Sequence, residues 1–122
     1  MVERIEEMPA GTIGFKVVSD LTWDDYRDQV EPALAEAADR GEVRLLFEVD
    51  SSFGMDAAAV LGNAKTGLKR GLGHMKAWKR TAIVTDIDWI RKAIKAFGFM
   101  APGEMQVFDL AELAVAKVWI AE

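Results

Sequence analysis

The chain has 122 residues, 51% of them apolar, and carries a formal net charge of −5. This length suits a single domain with one hydrophobic core, so we treat residues 1–122 as one domain. The acidic balance disfavours nucleic-acid binding, and the lack of cysteine excludes disulfides and thiolate metal sites. The N-terminal residues lack the long apolar run of a signal peptide or membrane-spanning helix, which predicts a cytoplasmic protein.

The first predicted elements are two strands, residues 3–8 and 12–18, on either side of the turn Pro9-Ala10-Gly11. This arrangement predicts an antiparallel hairpin. A helix follows, with Thr22 and Asp25 spaced as a capping box and Gly41 at its end. Pro32 lies inside this helix and lacks a backbone amide, so we expect a kink there.

The rest of the chain alternates strands with helices. Residues 43–49 alternate apolar and polar side chains, and the sequence 80–89 reads as a strand that leads into a helix beginning at Asp88. Residues 104–108 form the last predicted strand, and Asp109 and Glu112 predict an acidic capping box for the last helix. The helix after Asp88 has an apolar stripe formed by Trp89, Ile90, Ala93, Ile94 and Phe97.

This order predicts an α/β fold with right-handed crossovers: a mixed, mainly parallel sheet of about five strands, an N-terminal antiparallel hairpin and about four helices. Three of the four main strands have a more polar face, so we expect the helices chiefly on one face of the sheet. Leu46 lies on the more polar face. Apolar side chains left exposed on that face predict a homodimer.

Four segments of the chain resemble the SpoIIAA-like family, relatives of the STAS domain. They are LTWDDYRDQVEPALAEA, EVRLLFEV, WKRTAIVTDIDWIRK and GEMQVFDLAELAVAKVWI, and together they span most of the chain from about Gly11 onward. The resemblance implies a βα superhelix, frequent self-association and binding rather than catalysis. Members also look like small relatives of the lipid-carrying CRAL-TRIO fold, in which mobile helices act as a lid over an apolar cavity.

The segment from about 56 to 79 is the predicted lid. Its glycines, including Gly62 and Gly67, disfavour a rigid helix. The apolar residues predicted to contact a ligand here are Met55, Leu61, Leu68, Leu72, Met75 and Trp78. The same stretch is basic, and its residues Lys65, Lys69, Arg70, Lys76, Lys79 and Arg80 predict binding to an anionic membrane surface. The alternative is a solvated helix face that covers the core.

A regulatory site is the second interpretation. The sequence Asp50-Ser51-Ser52-Phe53-Gly54 resembles the segment in which STAS-related anti-sigma factor antagonists are phosphorylated on serine, although Phe53 interrupts the match. Ser51 and Ser52 are therefore candidate phosphorylation sites. The alternative is that they are ordinary turn and capping residues.

Other polar residues give weaker signals. Asp86 and Asp88 could bind a hard cation at the end of a strand, but they are better explained as caps of the helix that contains Trp89. His74 is the one histidine and lies between glycines, which is a poor position for a general base. We therefore expect no cofactor and no metal.

Two functions remain open. The first is a noncatalytic module that binds an apolar or lipid-like molecule and associates peripherally with membranes. The second is a regulatory module that binds another protein and is switched by phosphorylation. Catalysis is a third alternative, which would require His74 or Asp86.

Overall fold

The fold is built on one sheet of five strands. The computed structural model describes residues 1–54, 77–98 and 103–122. The strands are β1 (Val2–Ile5), β2 (Ile13–Val17), β3 (Val43–Val49), β4 (Trp78–Thr85) and β5 (Glu104–Phe108), and they lie side by side in sequence order. β1 pairs with β2 antiparallel, and all other neighbours are parallel. The predicted hairpin and the mainly parallel sheet are confirmed.

Three helices accompany the sheet in the described part of the chain. α1 has three successive parts: an α-helical turn Trp23–Asp25, a π-helical segment Tyr26–Val30 and an α-helix Glu31–Asp39. α2 is Asp88–Phe97, and α3 is Leu113–Ala121, preceded by a 3-10 turn Leu110–Glu112. Both predicted capping boxes are present, at the start of α1 and at the 3-10 turn.

The irregularity that Pro32 predicts takes the form of a π-helical segment. Pro32 lies in the first turn of Glu31–Asp39 and has no amide to donate to the carbonyl of Asp28. Just before it, the Glu31 amide donates to the Tyr26 carbonyl, five residues back. The wider π-helical turn accommodates the hydrogen bond that is missing at Pro32, so α1 continues without a break.

The cap of α1 gives a first prediction. The Thr22 hydroxyl accepts the Asp25 amide at 3.1 Å, and the Thr22 amide donates to Asp25 Oδ2 at 3.2 Å. Replacing Thr22 by alanine should lower the free energy of unfolding by about 1 kcal/mol at neutral pH, and Thr22→Ser should retain most of it. Urea unfolding of both variants measures this difference.

The same cap should make the effect pH-dependent. Hydrogen bonds from the Thr22 amide and hydroxyl lower the pKa of Asp25 below its ordinary value of 3.8. Because the pKa of Asp25 is lower in the folded state, its ionised carboxylate stabilises the protein above pH 3.8. This stabilisation is lost as the pH falls through the folded-state pKa. Thr22→Ala keeps the amide and removes only the share of this stabilisation that comes from the hydroxyl. The stability difference between the wild type and Thr22→Ala should therefore narrow at acidic pH without vanishing, because the Asp25 amide still donates to the Thr22 hydroxyl of the wild type there. A constant difference down to the acid transition would contradict this explanation.

Two hydrophobic clusters lie on opposite faces of the sheet. The first face carries Phe15 and Leu45 and packs against α1 and α2. These two helices share a face because each right-handed crossover moves to the next strand in the same direction. The second face carries Leu46 and Ala82 and is covered by α3, through Ala116 and Ile120. Of the three described helices, two therefore lie on the first face and one on the second, in agreement with the prediction.

The expectation that Leu46 is exposed is wrong. Leu46 is fully buried, because the chain turns back after β5 and α3 crosses the second face over β3 and β4. Leu46 is therefore not available for contacts between copies of the chain. Any interface between copies must use another surface.

Candidate functional site

A cavity of about 300 Å³ lies between the first face of the sheet and α2. β2, β3 and β4 form its floor, and Trp89 and Ala93 of α2 stand on one side. Loops at the carboxyl ends of β2 and β3 add Leu21 and Phe53. The full lining is Val17, Leu21, Phe47, Val49, Phe53, Ile83, Trp89, Ile90, Ala93, Ile94 and Met105, and we call this set the apolar cavity.

The register of the parallel strands brings the floor residues together. Val17 lies opposite Val49, and Phe47 lies opposite Ile83, so all four side chains point to the first face. The Phe47 ring stacks on the ring of Phe15 with centroids 5.9 Å apart. This contact fixes the aromatic part of the floor.

The wall comes from the predicted apolar stripe of α2. Residues 89, 90, 93 and 94 recur at helical spacing, so they share one side of the helix. Ala93 is the smallest of these and leaves room between the helix and the sheet. Trp89 is half-buried and lines the wall of the cavity.

The described residues that line the cavity present no polar surface to it. A water molecule inside a protein needs two to four polar partners, which these walls do not offer. Removing apolar surface from water stabilises a complex by roughly 25 cal/mol per Å². The described walls are therefore suited to hydrocarbon.

The predicted ligand-binding residues are only partly described. Met55, Leu61, Leu68, Leu72 and Met75 lie outside the described residues, as does nearly all of the predicted lid. Trp78 is described: it is half-buried at the start of β4 and packs against the first cluster, away from the lining of the apolar cavity.

The predicted anionic-surface residues are divided in the same way. Lys65, Lys69, Arg70 and Lys76 lie outside the described residues, whereas Lys79 is exposed on β4. Arg80 points to the second face and holds the end of α3. Its guanidinium lies 4.9 Å from the Trp119 ring centroid and donates to the Trp119 carbonyl at 2.7 Å. We therefore leave Arg80 out of any proposed membrane-binding surface.

The serine turn lies at the carboxyl end of β3. The Ser52 hydroxyl oxygen accepts the Ser19 amide at 3.1 Å, and the Ser52 amide donates to Asp50 Oδ1 at 2.8 Å. Hydrogen bonds from the Ser52 amide and hydroxyl lower the pKa of Asp50. Ser52 thus joins two loops by a hydrogen bond, and both Ser51 and Ser52 are exposed.

The aspartates after β4 have roles that differ from those predicted. α2 begins after Ile87 without a side-chain cap. Asp86 instead accepts the amide of Leu110 at 3.0 Å, which joins the end of β4 to the 3-10 turn after β5. Asp88 pairs with Lys92 at 2.9 Å on the exposed side of α2. His74 lies outside the described residues, and within them no group of three potential metal ligands exists.

Comparisons with known proteins give a family but no activity. The family model described as SpoIIAA-like matches residues 12–121. The structure is also similar to the crystal structure of an uncharacterised DUF3478-family protein with a SpoIIAA-like fold from Shewanella loihica PV-4. The TM-score is 0.69 at 28% identity, over 98% of this chain and 93% of that one. No curated protein matches. None of the described helices is long and apolar enough to cross a bilayer.

Proposed function

Because the chain belongs to the SpoIIAA-like family, we propose that it is a noncatalytic, STAS-like binding module whose apolar cavity takes a lipid-like ligand. The observation that carries this proposal is the cavity itself, which has apolar walls contributed by four strands, two loops and α2. A binding pocket of this kind fixes its ligand by shape and by exclusion of water.

The size of the cavity limits the ligand. Its volume is about 300 Å³, roughly twice that of an engineered cavity that binds benzene. It would take about a dozen non-hydrogen atoms, such as a medium-length acyl chain, with any polar group left at the mouth. β4 begins at Trp78, so the proposed lid is limited to the part of the segment from about 56 to 79 that precedes this strand.

A titration with decanoic acid, followed by tryptophan fluorescence, tests the proposal. Trp89 lies in the cavity wall, so a bound acyl chain should change its emission. In Ala93→Phe the new ring would occupy the space beside Trp89, and we expect the affinity for decanoic acid to fall at least tenfold.

Ala96→Phe is the matched control, since Ala96 lies on the same helix but is exposed. It should bind decanoic acid like the wild type. If both variants bind equally well, or if the wild type does not bind, the cavity is not the ligand site.

Peripheral membrane association is a further part of the proposal. Its support is the basic composition of residues 65–79, of which Lys79 is exposed in the described part of the chain. Cosedimentation with vesicles should rise with the fraction of anionic lipid and fall as salt is raised. Equal binding to neutral and anionic vesicles would contradict this part.

A regulatory role is the second candidate, and the exposure of Ser51 at the end of β3 favours it. Since the Ser52 oxygen already accepts the Ser19 amide, a phosphate would be accommodated more easily on Ser51. Intact-mass measurement of protein isolated from its own cells should then show one phosphate that Ser51→Ala abolishes. Retention of the phosphate in Ser51→Ala would assign the modification to another residue.

A further inference from the structure

The outer edge of β5 is an unpaired strand edge. β5 is the last strand in the sheet order, and in the described part of the chain no strand lies on its outer side. Such an edge presents backbone N–H and C=O groups that can pair with another strand. Beside it, on the α2 side, is a cleft of about 530 Å³ whose lining includes Ile94, Met105 and Val107.

The two edges of the sheet differ in how well charged side chains protect them against the addition of another strand. β1, the other edge, exposes a charge at two adjacent positions, Glu3 and Arg4. β5 has a charge only at its first residue, Glu104, and continues with four uncharged residues to Phe108. Charged side chains are a common means of preventing strand addition, so β5 is the edge left open to it.

We propose that β5 pairs antiparallel with β5 of a second copy of this chain, about a two-fold axis at Gln106. A symmetric strand pair of this kind needs no second protein and closes as a dimer. It would join the two sheets into one continuous sheet. Ile94 and Met105 line both the cleft and the apolar cavity, but strand pairing does not require a bound ligand, and either proposal can fail without the other.

The register about Gln106 is self-complementary. Gln106 lies opposite its own copy, and the two exposed amides can donate to and accept from each other. Met105 lies opposite Val107 of the second copy, where the cleft beside α2 has room for both. Glu104 lies opposite Phe108, so no two like charges face each other across the pair.

A single cysteine at the axis tests this register. The chain has no cysteine of its own, so Gln106→Cys introduces one thiol per chain. Directly opposed residues in an antiparallel pair have Cα atoms about 4.5 or 5.5 Å apart, within the range that a disulfide spans. Under mild oxidation, Gln106→Cys should form a covalent dimer at least tenfold faster than the controls Gln29→Cys and Val118→Cys.

Both control positions are exposed, Gln29 on α1 and Val118 on the apolar outer side of α3. Faster cross-linking at Val118 than at Gln106 would assign the interface to α3 and overturn the proposal. Equal rates at all three positions would indicate random collision and would also overturn it.

Light scattering of the cysteine-free protein gives an independent readout. The wild type should approach twice the mass of one chain at high micromolar concentration. Gln106→Lys would place two positive charges opposite each other and should weaken the dimer at least tenfold, whereas Gln29→Lys should leave it unchanged. A wild type with the mass of one chain throughout, or a dimer insensitive to Gln106→Lys, would refute the pairing.

Discussion

Gly103→Ala should destabilise the protein by about 3 kcal/mol, because two unfavourable effects coincide at this residue. Gly103 precedes β5 and has a φ of +74°, a conformation that costs alanine about 1–2 kcal/mol. A Cβ built there would lie 2.7 Å from the Lys79 carbonyl oxygen and 2.8 Å from that of Trp78. Both oxygens belong to the backbone of β4, so relief requires moving the strand.

Gly41→Ala is the matched control. Gly41 ends α1 with a φ of +94°, but a Cβ there would meet nothing within 4 Å. We expect it to cost only about 1 kcal/mol, from the backbone conformation alone. Urea unfolding measures both variants, and hydrogen exchange of Gly103→Ala should show the largest loss of protection in β4 and β5. Equal effects of the two substitutions would contradict the steric explanation.

Arg80→Gln should cost about 2 kcal/mol, because Arg80 holds the C-terminal end of α3 against β4. It donates to the Trp119 carbonyl, one of the last carbonyls of the helix, and lies over the Trp119 ring. A hydrogen bond from a charged donor to such a group contributes about 1.5–3 kcal/mol. Its ion pairs with Glu104 and Glu122 add little, since both carboxylates are mostly exposed.

Lys79→Gln is the control for Arg80→Gln, since it removes the same charge from the neighbouring, exposed position. We expect its effect to stay within about 0.5 kcal/mol. Arg80→Lys should recover less than half of the loss, because an ammonium group lacks the planar guanidinium that stacks on Trp119. Urea unfolding measures all three variants. Full recovery by lysine would indicate that charge alone matters.

The sequence predicts the fold well where the start or the bounds of a helix or strand depend on neighbouring residues alone. The capping boxes at Thr22 and Asp109 mark helix starts that the structure contains. The strand 43–49 has the predicted bounds. β4, however, begins at Trp78, earlier than the predicted start. The charged residues Lys79 and Arg80 interrupt the apolar pattern at this end of the strand, so the pattern does not show where the strand begins.

The alternating pattern of β3 does not show that a helix covers the second face of the sheet. Leu46, with Arg44 and Glu48 on the same side of β3, suggests a partly wet surface. Arg44 is instead only 17% exposed and donates to the Ile120 carbonyl of α3 at 2.7 Å. Polar side chains of a strand can thus form hydrogen bonds with a helix that covers them. Whether a helix covers this face depends on the path of the chain after β5.

An apolar cavity was expected from the family resemblance, but the residues that line the cavity beside α2 were not predicted. The stripe on α2 and the alternating residues of β3 were both visible in the sequence, and both predicted buried surfaces. Leu21 and Phe53 lie in loops and carry no periodic signal. Met105 belongs to a strand with alternating side chains, but that pattern does not place it beside α2. Periodicity shows which residues turn inward, but only the spacing between elements shows that they leave a cavity.

Native mass spectrometry of the protein released gently from its own cells shows whether the apolar cavity holds a ligand. We expect the wild type to carry an apolar molecule at close to one per chain, and Ala93→Phe purified in parallel to carry less than a tenth as much. A wild type without such a molecule, or equal loading of the two proteins, would contradict the proposed ligand binding.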